Sequence, residues 1–377
     1  MSAGLAPNPE ALNGVVGHAD VKFRLLRFAD QDRLPTGILL AGADGRGKRT
    51  LALAFAAELL RRATASAEAK SALRRALDGV HPELVIVEPL PDERILPVRR
   101  VRRLLERCSL SVSEGGRRVV VLPRLQKLNE ESGNALLKFL EEPPTGTFII
   151  ATANDPTAVM ETILSRLRVL PVSPLPLDLT VRTAVLHGAD AAAAAMVAPL
   201  AEGAPGAVFR ILRGDVETAL LVPLRELYSP DVSPYVWAER RAKEAKEDGP
   251  DWVEAEERIG PKAAVLAFAE LRAAKDEGVD GEKTGSGTLE ASRTWLRPLL
   301  VAATFLAEDA VRASVGVPLR APELARATGA AVDASAGARP ARMAAVRAGL
   351  DALENLDRNL SVPLCLELFA RTFKSAT

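Results

Sequence analysis

Residues 117–144 read RRVVVLPRLQKLNEESGNALLKFLEEPP. Four apolar residues, Val119 to Leu122, are halted by Pro123 and give way to helical spacing that ends at Pro143 and Pro144. A short apolar run followed by a periodic one predicts a buried strand feeding a helix. Comparable runs occupy Gly37–Ala41, Leu84–Glu88 and Phe148–Ala153, with a weaker one at Val169–Val172, and they alternate with helical patterns from Ala11 to about Pro171. Such alternation is the signature of a parallel sheet flanked by helices, so residues 1–172 are expected to form a doubly wound α/β domain.

A Pro-rich hinge, PVSPLPLDL, follows from Pro171 to Leu179. After it no strand signal remains. Leu179–His187, Ala191–Leu200 and Gly206–Arg213 read as three short helices, a small domain over residues 173–215. Residues 216–377 are expected to be helical throughout, with apolar spacing of 3 and 4 in Ala263–Ala274, Thr294–Val315 and Met343–Phe373. Glu277–Gly287 and Thr328–Pro340 read as loops, and the mixed charges of Glu239–Glu257 as a solvated helix face. The fold class is therefore α/β followed by all-α.

The bulk composition agrees. Aromatics make up only 4% of the 377 residues, which suits Ala- and Leu-packed helices better than an all-β fold. Basic and acidic residues balance at 49 each, so any nucleic-acid contact must come from a local patch. Cys108 and Cys365, the two cysteines, cannot build a four-ligand zinc site and are expected to be small buried apolar groups in helices. His18 and His81 lack a second ligand at metal spacing, and His81 is expected to fix the turn before its strand; Trp237, Trp252 and Trp295 are too dispersed for a base-stacking platform, and helix-core or interface packing is expected for them. The first residues lack a basic region followed by an apolar core, and no apolar run approaches the roughly 18 residues of a membrane span. A cytoplasmic location without membrane contact is expected.

LLAGADGRGKRT, residues 39–50, places Gly42, Gly45, Gly47 and Lys48 in a phosphate-loop pattern between a strand and a helix. Backbone N–H groups of such a loop curl around phosphate oxygens, and its lysine neutralises the terminal phosphates. The next residue should carry the hydroxyl that binds Mg²⁺, but it is Arg49, with Thr50 one position late and about 100° round the helix. The strand at Val119–Leu122 should end in an Asp-Glu pair to hold the metal and orient water; those places hold Pro123 and Arg124. Two readings stay open at this point: a site that takes ATP or ADP weakly and without productive metal, or a strand-to-helix turn kept for packing. Hydrolysis by this chain is not expected under either.

VVGHADVKFRL (15–25), the phosphate loop, HPEL (81–84), NALLKFLEEPP (134–144), LSR (164–166) and EGAPGAVFRIL (202–212) occur in an order that resembles the clamp-loader branch of the AAA+ ATPases, specifically the non-motor member of the bacterial DNA polymerase III loader. The likeness is strong over residues 12–215 and only compositional beyond. It implies an AAA+ (RecA-like) domain, a small helical lid and a C-terminal helical collar for oligomerisation. The Cys-rich zinc module of the motor subunits is absent, Leu167 replaces the cysteine of the Ser-Arg-Cys motif, and Gly206 stands where motor subunits carry a sensor arginine.

By this resemblance, Ser165 and Arg166 present an arginine finger in trans to ATP on a neighbouring motor subunit. The implied partners are the gamma/tau motor subunits, delta, the sliding clamp through the complex, and primer-template DNA. In Leu96–Cys108, LPVRRVRRLLERC, the residues Val98, Val101, Leu104, Leu105 and Cys108 form a packed stripe that leaves the arginines on a basic face. The family's helix at this place faces the primer-template duplex, which implies phosphate contacts by Arg99, Arg100 and Arg103. A solvated face paired with acids elsewhere is the competing reading. The rival functions are a true motor subunit and a stand-alone AAA+ DNA-remodelling ATPase, and both need a competent Mg²⁺ site.

Overall fold

The computed structural model describes residues 10–30, 37–65, 67–89, 95–213, 216–229, 231–247, 287–328, 339–357 and 361–376. These divide into two compact units between Leu175 and Pro176.

The first unit runs α1 (Glu10–Asn13), α2 (Ala19–Ala29), β1 (Gly37–Ala41), α3 (Lys48–Ala63), α4 (Ala69–Leu77), β2 (Leu84–Ile86), α5 (Val98–Ser109), β3 (Arg118–Leu122), α6 (Glu130–Glu141), β4 (Thr147–Ala153), α7 (Glu161–Leu164) and β5 (Arg168–Pro171). All five strands are parallel, in the order β2-β3-β4-β1-β5, with Leu39 opposite Ala151, Leu40 opposite Leu170 and Val120 opposite Ile149. Side chains alternate across the sheet. Ile38, Leu40, Val119, Val121 and Ile150 pack with the Leu51–Leu60 stretch of α3, while Leu39, Val120, Ile149 and Ala151 pack with Val101, Leu104, Leu136 and Phe139 of α5 and α6. Burial on both faces accounts for the unbroken apolar runs in the strands.

Helix α6 begins in a reciprocal cap. Asn129 Oδ1 accepts from the Ser132 amide at 3.0 Å and Ser132 Oγ accepts from the Asn129 amide at 3.0 Å. The helix ends just before Pro143, which has no amide hydrogen to continue it. In open parallel sheets, ligand sites lie beyond the carboxyl ends of the strands. The segments leaving those ends are Gly42–Gly47 after β1, Pro123–Arg124 after β3 and Asn154 after β4.

The second unit comprises α8 (Leu177–Leu186), α9 (Ala191–Val197), α10 (Pro205–Arg213), α11 (Val222–Tyr228), α12 (Pro234–Glu247), α13 (Gly287–Ala313), α14 (Pro322–Thr328), α15 (Arg339–Asp357) and α16 (Val362–Ala376). The three helices expected after the hinge are α8 to α10. One cluster of buried apolar residues extends from Ala184 to Phe373, so residues 173–215 share their core with residues beyond 216. Trp237 is fully buried there, donating Nε1–H to the Pro223 carbonyl at 2.8 Å. The run Met343–Phe373 is two helices, and α16 opens with Pro363 in its first turn, where the missing amide costs nothing. Helices α13 and α15 approach so closely that a Cβ on Gly349 would lie 2.0 Å from Thr304 Oγ1.

Arg241 and Ala242 are buried, so the charged run from Glu239 is not wholly a solvated face. Its end, together with Ala263–Ala274, most of the two expected loops and Trp252, lies outside the described residues, as does the Trp295 side chain. Cys108 and Cys365 are both buried in helices, and neither forms a disulfide. Among the described residues no helix is long and apolar enough to cross a membrane.

Candidate functional site

The phosphate loop is held by the ends of three strands. The Gly42 amide donates to the Ala153 carbonyl at 3.1 Å, and a Cβ at Gly42 would lie 2.5 Å from the Val172 carbonyl oxygen, so only glycine fits where β1 leaves the sheet. Gly45 and Gly47 have φ of 77° and 80°, in the left-handed region that lets the loop curl. Lys48 is buried, and its Nζ donates to the Ala43 carbonyl at 2.9 Å and to Asn154 Oδ1 at 3.0 Å. The ammonium that would meet phosphate is engaged within the fold. Arg46 Nη1 also turns inward, to the Val172 carbonyl at 3.3 Å.

Arg49 occupies the position of the metal-binding hydroxyl and makes a two-point ion pair with Glu88 after β2, Nη2–Oε1 2.8 Å and Nε–Oε2 3.3 Å. Thr50 is exposed. Pro123 and Arg124 follow β3; Arg124 takes a left-handed conformation with φ of 55°, and its amide donates to Thr152 Oγ1 at 3.1 Å. A cationic side chain with its own carboxylate at one metal-organising position, and no acid at the other, do not suit a magnesium–nucleotide complex. His18, at the start of α2, comes close to the loop: a Cβ on Gly47 would sit 3.9 Å from His18 Nε2. Burial pushes the His18 pKa down, against a backbone hydrogen bond with Arg46.

Arg166 and Ser165 lie apart from this loop, just after α7, and are tied to α6. Arg166 Nε and Nη2 donate to Glu141 Oε1 at 3.1 and 2.5 Å. Its Nη1 donates to the Thr162 carbonyl at 2.5 Å and to Ser165 Oγ at 3.3 Å. The pair is open to solvent, with side-chain exposures of 33% for Arg166 and 48% for Glu141. Seating of α7 on α6 depends on Gly133, where a Cβ would meet Met160 Sδ at 2.3 Å.

On α5, Val101, Leu104 and Cys108 are buried as the apolar stripe requires, and Val98 and Leu105 are half-buried. Arg99, Arg102, Arg103 and Arg107 are exposed. Arg100 is not part of that face. It is only 9% exposed and donates Nη1–H to the Glu88 carbonyl at 2.7 Å, because position 100 falls beside the buried Val101 and Leu104 side of the helix. Arg102 reaches Glu131 at 3.6 Å and Arg107 donates to the Pro82 carbonyl at 3.0 Å, whereas Arg99 and Arg103 show neither kind of partner among the described residues.

The far end of α5 is anchored by a buried network. Arg118 donates Nε–H to Glu83 Oε2 at 2.8 Å and Nη1–H to the Arg107 and Leu110 carbonyls, both at 2.9 Å. Burial opposes ionisation of Glu83 but is outweighed by the amide and hydroxyl of Ser113 and by Arg118, which hold the carboxyl below its ordinary range. His81 Nδ1 accepts from the Glu83 amide at 3.1 Å, which leaves the ring hydrogen on Nε2, 3.6 Å from Glu114 Oε1. Burial lowers the His81 pKa, and Glu114 only partly offsets it.

Asn154, Glu88 and Glu141 do not stand out in the sequence. Asn154 is the first polar residue after the apolar β4 run and Glu88 the acid that ends the β2 run, but their partners are 106 and 39 residues away. Only the strand order brings them together.

A five-stranded parallel sheet in this order, with a phosphate loop after its first strand, is the fold of the AAA+ (RecA-like) class. Within that class, residues 17–176 match the family model described as DNA polymerase III, delta subunit, and the relatives that this stretch is similar to include delta-prime subunits. DNA polymerase III subunit delta' of Pseudomonas aeruginosa is 38% identical over 131 residues, 34% of this chain and 40% of that protein. Its counterpart from Bacillus subtilis is 30% identical over 153 residues, 40% of this chain and 46% of that protein. DNA polymerase III subunit tau/gamma of Haemophilus influenzae is 29% identical over 161 residues, 42% of this chain and 23% of that protein. This chain thus spans less than half the length of the curated relatives it matches. The crystal structure of a DNA polymerase III gamma subunit-related protein from Thermotoga maritima aligns with 95% of this chain and 99% of its own, at 14% identity and a TM-score of 0.45.

Proposed function

We propose that this chain is a non-hydrolysing, delta-prime-type subunit of a DNA polymerase III clamp loader, which lends Arg166 to ATP bound by an adjacent gamma/tau-type subunit. With delta and the motor subunits it would help place a sliding clamp on primed DNA in the cytoplasm. The observation that carries this reading is the Arg49–Glu88 ion pair in the metal-organising position, in a chain that also lacks an acid after β3. A motor would need both positions intact. The relatives that are delta-prime subunits of that polymerase support the same setting.

In this role the chain binds ATP or ADP weakly or not at all, because Lys48 already has the Asn154 and Ala43 oxygens as acceptors. Arg166 contributes instead through charge: a guanidinium presented to a transferring phosphoryl group stabilises its transition state, an effect of about 10³ to 10⁵ in rate for such fingers. Arg99 and Arg103 supply phosphate contacts to the duplex, which position it without reading its sequence.

The test has two arms. The isolated chain should show no Mg²⁺-dependent ATP hydrolysis. In the loader reconstituted with its motor and delta subunits, Arg166→Ala should leave the chain folded and lower DNA-stimulated turnover by at least about tenfold, a conservative floor on the finger effect. Wild-type turnover in the Arg166→Ala complex would reject the assignment.

A further inference from the structure

We infer that Glu141 is a positioning residue that holds Arg166 retracted until a nucleotide phosphate on an adjacent subunit competes for the same guanidinium; the inference rests on the proposed role of Arg166. A guanidinium has five N–H donors in a fixed fork. Four of the five are engaged within the chain, two by Glu141 Oε1 and one each by the Thr162 carbonyl and Ser165 Oγ. Arg166 cannot grip a phosphate with two parallel hydrogen bonds while Glu141 keeps both Nε and Nη2.

Glu141 is suited to let go. It is the last residue of α6, half-exposed, and it meets Arg166 through one carboxylate oxygen and not in the two-oxygen fork that makes such pairs strong. Exposed pairs of this kind are weak. A terminal phosphate bears more charge and offers three acceptor oxygens, so it displaces the carboxylate readily. Until then the pair keeps Arg166 in one place and aligned on α7, which is itself seated by the Gly133–Met160 contact. Glu141 therefore lowers the affinity of the neighbouring site for nucleotide, and it sets when the arginine engages without touching the reacting atoms.

Glu141→Gln keeps the shape and removes the charge. In the reconstituted loader it should lower the apparent KM for ATP by about two- to fivefold, the range set by a weak surface pair, with kcat within about twofold of wild type. In an Arg166→Ala background the same substitution should change nothing further. An unchanged KM in Glu141→Gln, with turnover still lost in Arg166→Ala, overturns the latch and leaves the finger standing. A Glu141→Gln effect that persists without Arg166 also overturns it, by showing that Glu141 acts elsewhere. If Arg166→Ala itself has no effect, the finger assignment fails, and the latch with it.

Discussion

The guanidinium of Arg49 and the carboxylate of Glu88 join the first turn of α3 to the end of β2, and the carbonyl of the same Glu88 accepts from the buried Arg100 of α5. The phosphate loop and the basic helix are thereby linked through one residue. In a metal-dependent loop this corner would change with nucleotide, whereas here a cation built into the chain is already neutralised.

Arg49→Thr restores the hydroxyl of the phosphate-loop pattern, and it should still yield no Mg²⁺-dependent hydrolysis, because Pro123 and Arg124 offer no carboxylate. Loss of the partly exposed pair should lower stability by no more than about 1 kcal/mol, read as a shift of the urea midpoint. Motor-like turnover by this variant would show that the acids are supplied from elsewhere.

Replacing Arg99 and Arg103 together by Ala should reduce the slope of log affinity against log salt for DNA binding by the reconstituted loader by about 2 units, one per phosphate contact. Arg100→Met should act differently. The slope should stay as in wild type while the chain loses about 1–3 kcal/mol, the cost of leaving a buried acceptor such as the Glu88 carbonyl unsatisfied. Equal slope changes from both variants would place Arg100 on the DNA face after all.

Stability should fall with acid in two stages. His81 has a folded pKa below its ordinary 6.5, so the unfolded chain takes up the proton first and stability begins to drop as pH falls below that value. Glu83, held below its ordinary 4.5, adds a second loss as pH falls from there through its folded pKa. Urea midpoints between pH 8 and pH 3 read both, and His81→Phe should remove its share of the upper stage, leaving the part due to His18, whose pKa burial also lowers, and the whole of the lower.

Gly349→Ala should destabilise the helical unit by about 1–3 kcal/mol, the usual cost of overpacking. The added methyl meets Thr304, whose Oγ1 is itself bonded to the Leu300 carbonyl at 2.7 Å and cannot simply rotate away. Gly349→Ala combined with Thr304→Ala, which removes the hydroxyl that the added methyl meets, should recover part of the loss in a thermal melt.

What the sequence determined by itself is the material that depends on neighbours along the chain. The runs at 37–41, 119–122 and 148–153, the glycines of the phosphate loop, the break at the Pro-rich hinge and the apolar stripe of α5 are set by spacings of two, three or four residues. Local patterns of that kind survive without knowledge of the fold. The missing hydroxyl at Arg49 and the missing acids at Pro123 and Arg124 were legible for the same reason, since a motif fixes its positions by counting.

Tertiary structure decided the partnerships. Arg100 sits among arginines of identical type, and only packing of α5 against the sheet turns it to the Glu88 carbonyl while Arg99 and Arg103 face outward. Lys48 finds Asn154, Arg49 finds Glu88 and Arg166 finds Glu141 across 106, 39 and 25 residues, because the strand order lays the end of β4 beside β1 and because α7 packs on α6. Periodicity carries no information about such pairs: which charge meets which is settled by where the sheet and helices bring distant backbone together, and desolvation then leaves the buried ones no stable alternative.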